Sequence, residues 1–170
     1  MHALRRLLKS QTEAHADPKG ASDARPTAFQ MIEDEGLVGK LSDKVALVTG
    51  GTDGIGLEIV RTLGTGMKGG FTSRDVAKGE KVRNGSLVED SSLRLEVVEG
   101  ELKSLTSVIV GAEIILARTQ ILDVLVSNAA RSFNSIFTDR FHEKTGIATT
   151  PKGYAEDRFE QQFGVSVGTY

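Results

Sequence analysis

Residues Thr49 to Gly56 read T-G-G-T-D-G-I-G and follow the apolar run Val45-Ala46-Leu47-Val48. The chemistry such a stretch supports is anion binding. Gly50 and Gly54 carry no Cβ, so the backbone can turn sharply and approach a bulky ligand. Gly56 lets a following helix pack close to the strand before it. The first turn of that helix has N–H groups without intrahelical partners, and its dipole adds partial positive charge. A pyrophosphate suits such a cradle. The spacing is G-x-x-x-G-x-G, distinct from the G-x-G-x-x-G of other dinucleotide sites. A glycine turn without a ligand is the alternative that these residues alone leave open.

The elements that would position this turn alternate in type. Val45 to Thr49 is a short apolar run, hence a buried strand. Gly54 to Leu63 has a helical period, with Ile55, Ile59, Val60 and Leu63 on one face. A weak second strand centres on F-T-S at Phe71, although Gly69 and Gly70 fall where apolar side chains are expected. Asp75 to Val88 reads as a polar surface helix and Leu93 to Leu102 as a third strand. A third helix runs from Ser104, as N-cap, to Thr119. Its apolar stripe is Leu105, Val108, Ile109, Ala112, Ile115 and Leu116. Ile121 to Asn128 is a fourth strand with an apolar run suited to burial on both faces. The order β-α-β-α-β-α-β predicts a parallel α/β sheet of the Rossmann-like, doubly wound kind.

Bulk properties narrow the classes. The length of 170 residues suits one domain. A net charge of −2 lacks the basic excess of nucleic-acid binders. Trp is absent and aromatics are 5%, so single-strand stacking platforms are not expected. There is no Cys, which removes disulfides and thiolate sites and fits a reducing, cytoplasmic setting. His2, His15 and His142 are too scattered to suggest a metal site. No apolar stretch approaches the roughly 18–20 residues of a membrane span. The start, M-H-A-L-R-R-L-L-K-S, is basic and amphipathic. It reads as a loosely docked helix or as a mitochondrial presequence. Gln11 to Thr27 is polar with Pro18, Gly20 and Pro26 and reads as a linker. A helical turn is expected between Ala28 and Lys44. The expected organisation is an extension over 1–38, largely disordered, and a partial nucleotide-binding domain over 39–170.

The stretches D-K-V-A-L-V-T-G-G-T-D-G-I-G-L-E-I-V-R-T-L, F-T-S-R-D-V-A-K-G-E-K-V, L-D-V-L-V-S-N-A-A and F-E-Q-Q-F-G-V-S-V-G-T-Y resemble the short-chain dehydrogenase/reductase family. The retinol-dehydrogenase-like branch is the most similar. Together they run from Lys44 to Tyr170, with a poor fit after Ala130. The resemblance implies NAD(P)-dependent hydride transfer between an alcohol and a carbonyl.

Residue by residue, it assigns the phosphate cradle to Gly50, Thr52, Asp53, Gly54, Ile55 and Gly56. Ser73 stands where NAD-binding members carry an acid for the ribose diol, and Arg74 follows. A guanidinium pairs well with a 2′-phosphate, so NADP(H) is expected over NAD, with Lys78 adding charge. Glu101 and Leu102 take the adenine-contacting pair. Ser127, Asn128, Ala129 and Ala130 stand for the family's N-N-A-G, with Asn128 and Ala129 beside the cofactor. Ser166 falls at the position of a family Asn.

The family's proton relay is a Tyr-x-x-x-Lys pair, in which Lys lowers the phenol pKa from about 10. The tyrosines here are Tyr154 and Tyr170. Tyr154 is followed four residues on by Arg158, and no Tyr-x-x-x-Lys exists in the 170 residues. The expected sheet is therefore truncated after the fourth strand and the helix that follows it, with no catalytic residue assigned and inactive alone. Strand four would then present an exposed apolar edge. A non-catalytic NADP(H)-binding or interaction module, or an unstable fragment, are the alternatives. A small alcohol or carbonyl is expected as substrate only with a completing catalytic half. The resemblance leaves a homo-oligomer open.

Overall fold

The computed structural model describes residues 12, 14–20, 23–129, 153, 154 and 156–158. Its elements are α1 (Ala28–Asp34), β1 (Val45–Val48), α2 (Gly54–Gly64), β2 (Lys68–Ser73), α3 (Val76–Glu89), β3 (Leu95–Glu99), α4 (Leu105–Arg118) and β4 (Val124–Val126). The four strands form one parallel sheet in the order β3-β2-β1-β4. The chain winds outward from β1 to β3, then returns across β1 to place β4 on its other side. That reversal opens a crevice at the carboxyl ends of β1 and β4, the place where such sheets take ligands. The Rossmann-like α/β fold is as expected.

The core forms between the sheet and α2. Val48, Val60 and Phe71 are fully buried, with Leu93 and Leu95 beside them. The buried line of α2 is Gly56, Val60 and Gly64, and Ile59 and Leu63 pack at its flanks. Ile55 departs from the expected face and is 77% exposed at the mouth of the crevice. Small residues form the contact line because α2 lies very close to the sheet. A Cβ on Gly64 would sit 2.6 Å from Leu95 Cδ2. The same approach accounts for Gly69, where a Cβ would stand 3.4 Å from the Val60 carbonyl. Gly70 is different. Its nearest neighbour is Leu47 Cδ1 at 3.4 Å, and it borders a small cavity lined also by Val98 and Ile115.

Helix α3 is capped by Asp75, which accepts from Lys78 N. It rests on the sheet through Gly79, whose Cβ would stand 2.6 Å from Val97 Cγ1. Helix α4 is capped by Ser104, but its expected stripe divides. Gly111 is buried and Val108 and Ile115 are partly covered, while Leu105, Ile109 and Leu116 are exposed. Strand β4 also departs from burial on both faces. Among the described residues it pairs only with β1, so Leu125 is 49% exposed.

The helical turn expected between Ala28 and Lys44 is α1. Thr27 and Gln30 make a reciprocal capping box at α1. Beyond it, Gly39 and Leu41 donate backbone N–H bonds to Thr65 and Gly66 carbonyls. Arg94 Nη1 donates to the Ser42 carbonyl at 2.7 Å. The arm from 39 to 42 is thereby fastened to the α2–β2 turn and to the residue before β3.

At the amino ends of the strands, Asp123 bridges β4 to β1. Its carboxylate accepts from Val45 N at 2.9 Å and pairs with Lys44 Nζ at 3.0 Å. The Val45 N–H first, and then Lys44, hold the Asp123 carboxyl below its ordinary 3.8. A lowered carboxyl pKa contributes stability above the unfolded value, and that contribution fades as pH falls through the folded value. Asp123→Asn is therefore expected to lower the urea midpoint at pH 7 and to flatten the loss of stability below about pH 4. An unchanged acid limb would contradict this.

Two glycine substitutions give opposite signs. Gly70 is not at positive φ and a Cβ there would make ordinary contacts with Leu47 Cδ1 at 3.4 Å and the Ala46 carbonyl at 3.5 Å, so Gly70→Ala gains about 0.5–1 kcal/mol by lowering unfolded-state entropy. Gly51→Ala drives a Cβ to 2.5 Å from Phe71 Cβ and 2.7 Å from Val60 Cγ2. Overpacking there costs about 1–3 kcal/mol. Chemical denaturation measures both.

Candidate dinucleotide site

The site is built where β1 ends. Thr49 is buried and continues the ladder through its N–H to the Val126 carbonyl. Its Oγ1 accepts from Asn128 N at 3.1 Å and Ala129 N at 3.0 Å. In return Asn128 Nδ2 donates to the carbonyls of Thr49 at 3.1 Å and Gly50 at 3.3 Å. The turn is also tied to β2, because Thr72 Oγ1 accepts from Gly50 N at 3.2 Å.

Each glycine of the turn has its own reason. Gly50 has φ +68° and a would-be Cβ 2.8 Å from Ala129 Cα, so both conformation and space demand glycine. Gly54 has φ +56° and nothing within 4 Å of its Cβ position. That open side is where a ligand can approach. Gly56 faces Asn128 Nδ2 and the Gly50 carbonyl, with no room for a Cβ. Gly51, not singled out by the sequence reading, is held against Phe71 and Val60. The signal for Gly51 was there in the second glycine of T-G-G, but its partners come from β2 and α2.

Asp53 is the N-cap of α2, with its carboxylate accepting from Gly54 N at 2.7 Å. The first main-chain bond of the helix is Leu57 N to the Asp53 carbonyl, so the Ile55 and Gly56 amides head the helix. Thr52 is half-buried in the turn. The residues present fit a pyrophosphate: an open glycine face, a helix start and a tightly held backbone.

At the carboxyl end of β2, Ser73 is 5% exposed. Its Oγ donates to the Asp75 carbonyl at 2.5 Å. No carboxylate side chain occupies this position. Arg74 is exposed. Asp75, its neighbour, spends its carboxylate on the Lys78 amide, so among the described residues Arg74 has no ion pair. Lys78 is exposed nearby on the first turn of α3. At the end of β3, Gly100 N donates to the Ser73 carbonyl. Glu101 follows, half-buried, with Oε1 accepting from Lys103 N at 3.1 Å and its own N–H donating to Ser107 Oγ at 2.9 Å. Leu102 beside it is half-buried. The structure thus brings the glycine turn, Ser73, Arg74, Glu101, Leu102, Asn128 and Ala129 to the carboxyl ends of adjacent strands.

Ser166 and Ala130 lie outside the described residues. So does Gly164-Val165-Ser166-Val167-Gly168, which matches the G-x-S-x-G spacing of a nucleophile elbow. Tyr154 is 73% exposed. Among the described residues no group of His, Asp and Glu could hold a metal ion. No described helix is long and apolar enough to cross a membrane.

The profile of the short chain dehydrogenase family matches residues 44–150, and the chain belongs to that family. Oxidoreductase calI of Penicillium decumbens is 37% identical over 153 residues, covering 88% of this chain and 40% of that protein. Short-chain dehydrogenase/reductase prx1 of Penicillium roqueforti is 33% identical over 156 residues, covering 91% and 40%. A crystal structure of a metagenomic short-chain oxidoreductase in complex with NADP is 34% identical, with a TM-score of 0.49 over 55% of this chain and 42% of that one. The chain spans about two fifths of the length of the curated relatives it matches.

Removing the amide of Asn128 leaves the Thr49 and Gly50 carbonyls without that donor. Asn128→Ala is expected to cost about 1–3 kcal/mol. The loss should couple with Thr49→Val in a double-mutant cycle, because the two side chains close one network. Additive losses would contradict the reciprocal arrangement.

Proposed function

We propose that residues 39–170 are the NADP(H)-holding part of a short-chain dehydrogenase/reductase. The observation that carries the choice of cofactor is Arg74, exposed and unpaired among the described residues beside a buried Ser73. An acid at that position would bind a ribose diol and repel a 2′-phosphate. A serine turned inward removes that repulsion, and the adjacent guanidinium supplies bidentate donors for the phosphate. The glycine turn and the start of α2 take the pyrophosphate, Glu101 and Leu102 border the adenine, and Asn128 and Ala129 hold the inner wall.

The bound nicotinamide would supply hydride chemistry between an alcohol and a carbonyl. The proton relay of the family is not encoded in these 170 residues, since Tyr154 is followed four residues later by Arg158. This chain alone therefore binds cofactor without turning it over. A small alcohol or carbonyl becomes a substrate only where further polypeptide supplies a Tyr-x-x-x-Lys pair.

Calorimetric titration tests the reading. NADPH is expected to bind saturably and more tightly than NADH. Arg74→Ala should weaken NADPH by at least tenfold, about 1.5–3 kcal/mol for a charged hydrogen-bonded contact, and leave NADH unchanged. Gly54→Asp should abolish binding of both. Equal loss for NADPH and NADH in Arg74→Ala would contradict the 2′-phosphate assignment, and alcohol or carbonyl turnover by the chain alone would contradict its inactivity.

A further inference from the structure

Thr72 stands on β2 between the glycine turn and Arg74. Strand β2 runs parallel to β1 with Phe71 opposite Val48, so Thr72 falls level with Thr49, where the turn begins. Its Oγ1 accepts the Gly50 N–H at 3.2 Å. On the other side of Gly50, a Cβ would meet Ala129 Cα at 2.8 Å. Gly50 is thus held from β2 by Thr72 and from the end of β4 by Ala129. Thr72 also meets the end of β3. A Cβ on Gly100 would stand 3.5 Å from Thr72 Cβ and 3.6 Å from its Cγ2. The half-buried side chain therefore gives its hydroxyl to the turn and its methyl to the residue before Glu101.

The chemistry of NADP(H) gives that position a consequence. Its adenosine ribose carries the pyrophosphate on one carbon and the 2′-phosphate on another, so the two anions lie a fixed distance apart. A site that grips both must hold its turn and its guanidinium at a matching separation. Arg74 lies two residues beyond Thr72, roughly 7 Å along an extended strand. The turn is fastened to that same residue through Gly50 N.

We propose that Thr72 is a positioning residue that sets the spacing between the pyrophosphate turn and Arg74, and so governs how much affinity the 2′-phosphate adds. The proposal rests on the NADP(H) reading and adds a residue that acts through Gly50 rather than on the ligand. Thr72→Val keeps the β-branched fit to a strand and the methyl beside Gly100. It removes the acceptor and leaves the Gly50 N–H without that partner. Thr72→Ser keeps the acceptor.

Amide-resolved hydrogen exchange of the ligand-free full chain and calorimetric titration with NADPH and NADH test this together. In Thr72→Val, exchange at Gly50 is expected to rise about tenfold while the Val60 amide in the core is unchanged. NADPH affinity should fall about tenfold, and NADH affinity, which needs no matched spacing, by about threefold or less. Thr72→Ser should restore both Gly50 protection and the preference for NADPH. An unchanged NADPH-to-NADH ratio in Thr72→Val overturns the proposal, and if Arg74→Ala still removes the preference, the cofactor reading survives it. Equal acceleration at Gly50 and Val60, or no rescue by Thr72→Ser, would make Thr72 a packing residue and also overturn it. If the unsubstituted chain shows no preference for NADPH, the cofactor reading falls and the proposal with it.

Discussion

Four hydrogen bonds between the end of β1 and the end of β4 hold the functional part of this chain together. Thr49 Oγ1 accepts two backbone N–H groups from Asn128 and Ala129, and Asn128 Nδ2 returns two to the Thr49 and Gly50 carbonyls. They join residues 78–80 positions apart, so they form only once all three crossovers are complete. Their consequence is local. Gly50 is fixed at positive φ against Ala129, and Gly56 is pressed against the Asn128 amide. A turn so constrained presents its open side at Gly54 in one geometry, and a preorganised backbone loses little freedom when an anion arrives.

The remaining elements serve that junction from a distance. Asp123 and Lys44 join the same two strands at their amino ends, so the β1–β4 pair is pinned at both termini. Thr72 ties the turn to β2, whose carboxyl end presents Ser73 and Arg74. The Gly100 to Ser73 bond brings β3 to the same level, placing Glu101 and Leu102 beside it. In the proposed assignment, cofactor selection and phosphate binding would sit on neighbouring strands of one sheet, so a change at Arg74 would alter preference without disturbing the cradle.

The fold and the shape of the glycine turn were legible because they rest on strong local signals. Val45 to Gly56 joins an apolar strand to a glycine turn, and Asp75 and Ser104 stand at helix starts as their side chains dictate. What was less legible depends on neighbours far away in sequence. Hydrophobic periodicity favoured Ile55 for the inner face of α2, yet the helix lies so close to the sheet that Gly56, Val60 and Gly64 make the contact. Gly69 looked like a weakness in β2, and its role emerges only when Gly64 and Leu95 are placed beside it. Thr72 gave no separate signal and Gly51 only that of the second glycine in T-G-G, because their partners lie on other elements. The α4 stripe was read correctly as apolar, but periodicity cannot say which of its members meet the sheet. In the N-terminal extension, the helical turn expected after Thr27 forms as α1, headed by the Thr27–Gln30 box that T-A-F-Q carries.

The central claim is that the β1–β4 junction is the cofactor cradle. Hydrogen exchange with and without saturating NADP⁺ tests it most directly. The account predicts slowed exchange confined to residues 50–57, the Ser73–Arg74 turn and Asn128–Ala129, with α1 unaffected. Protection spread evenly over the sheet, or none at Gly50 to Leu57, would contradict it.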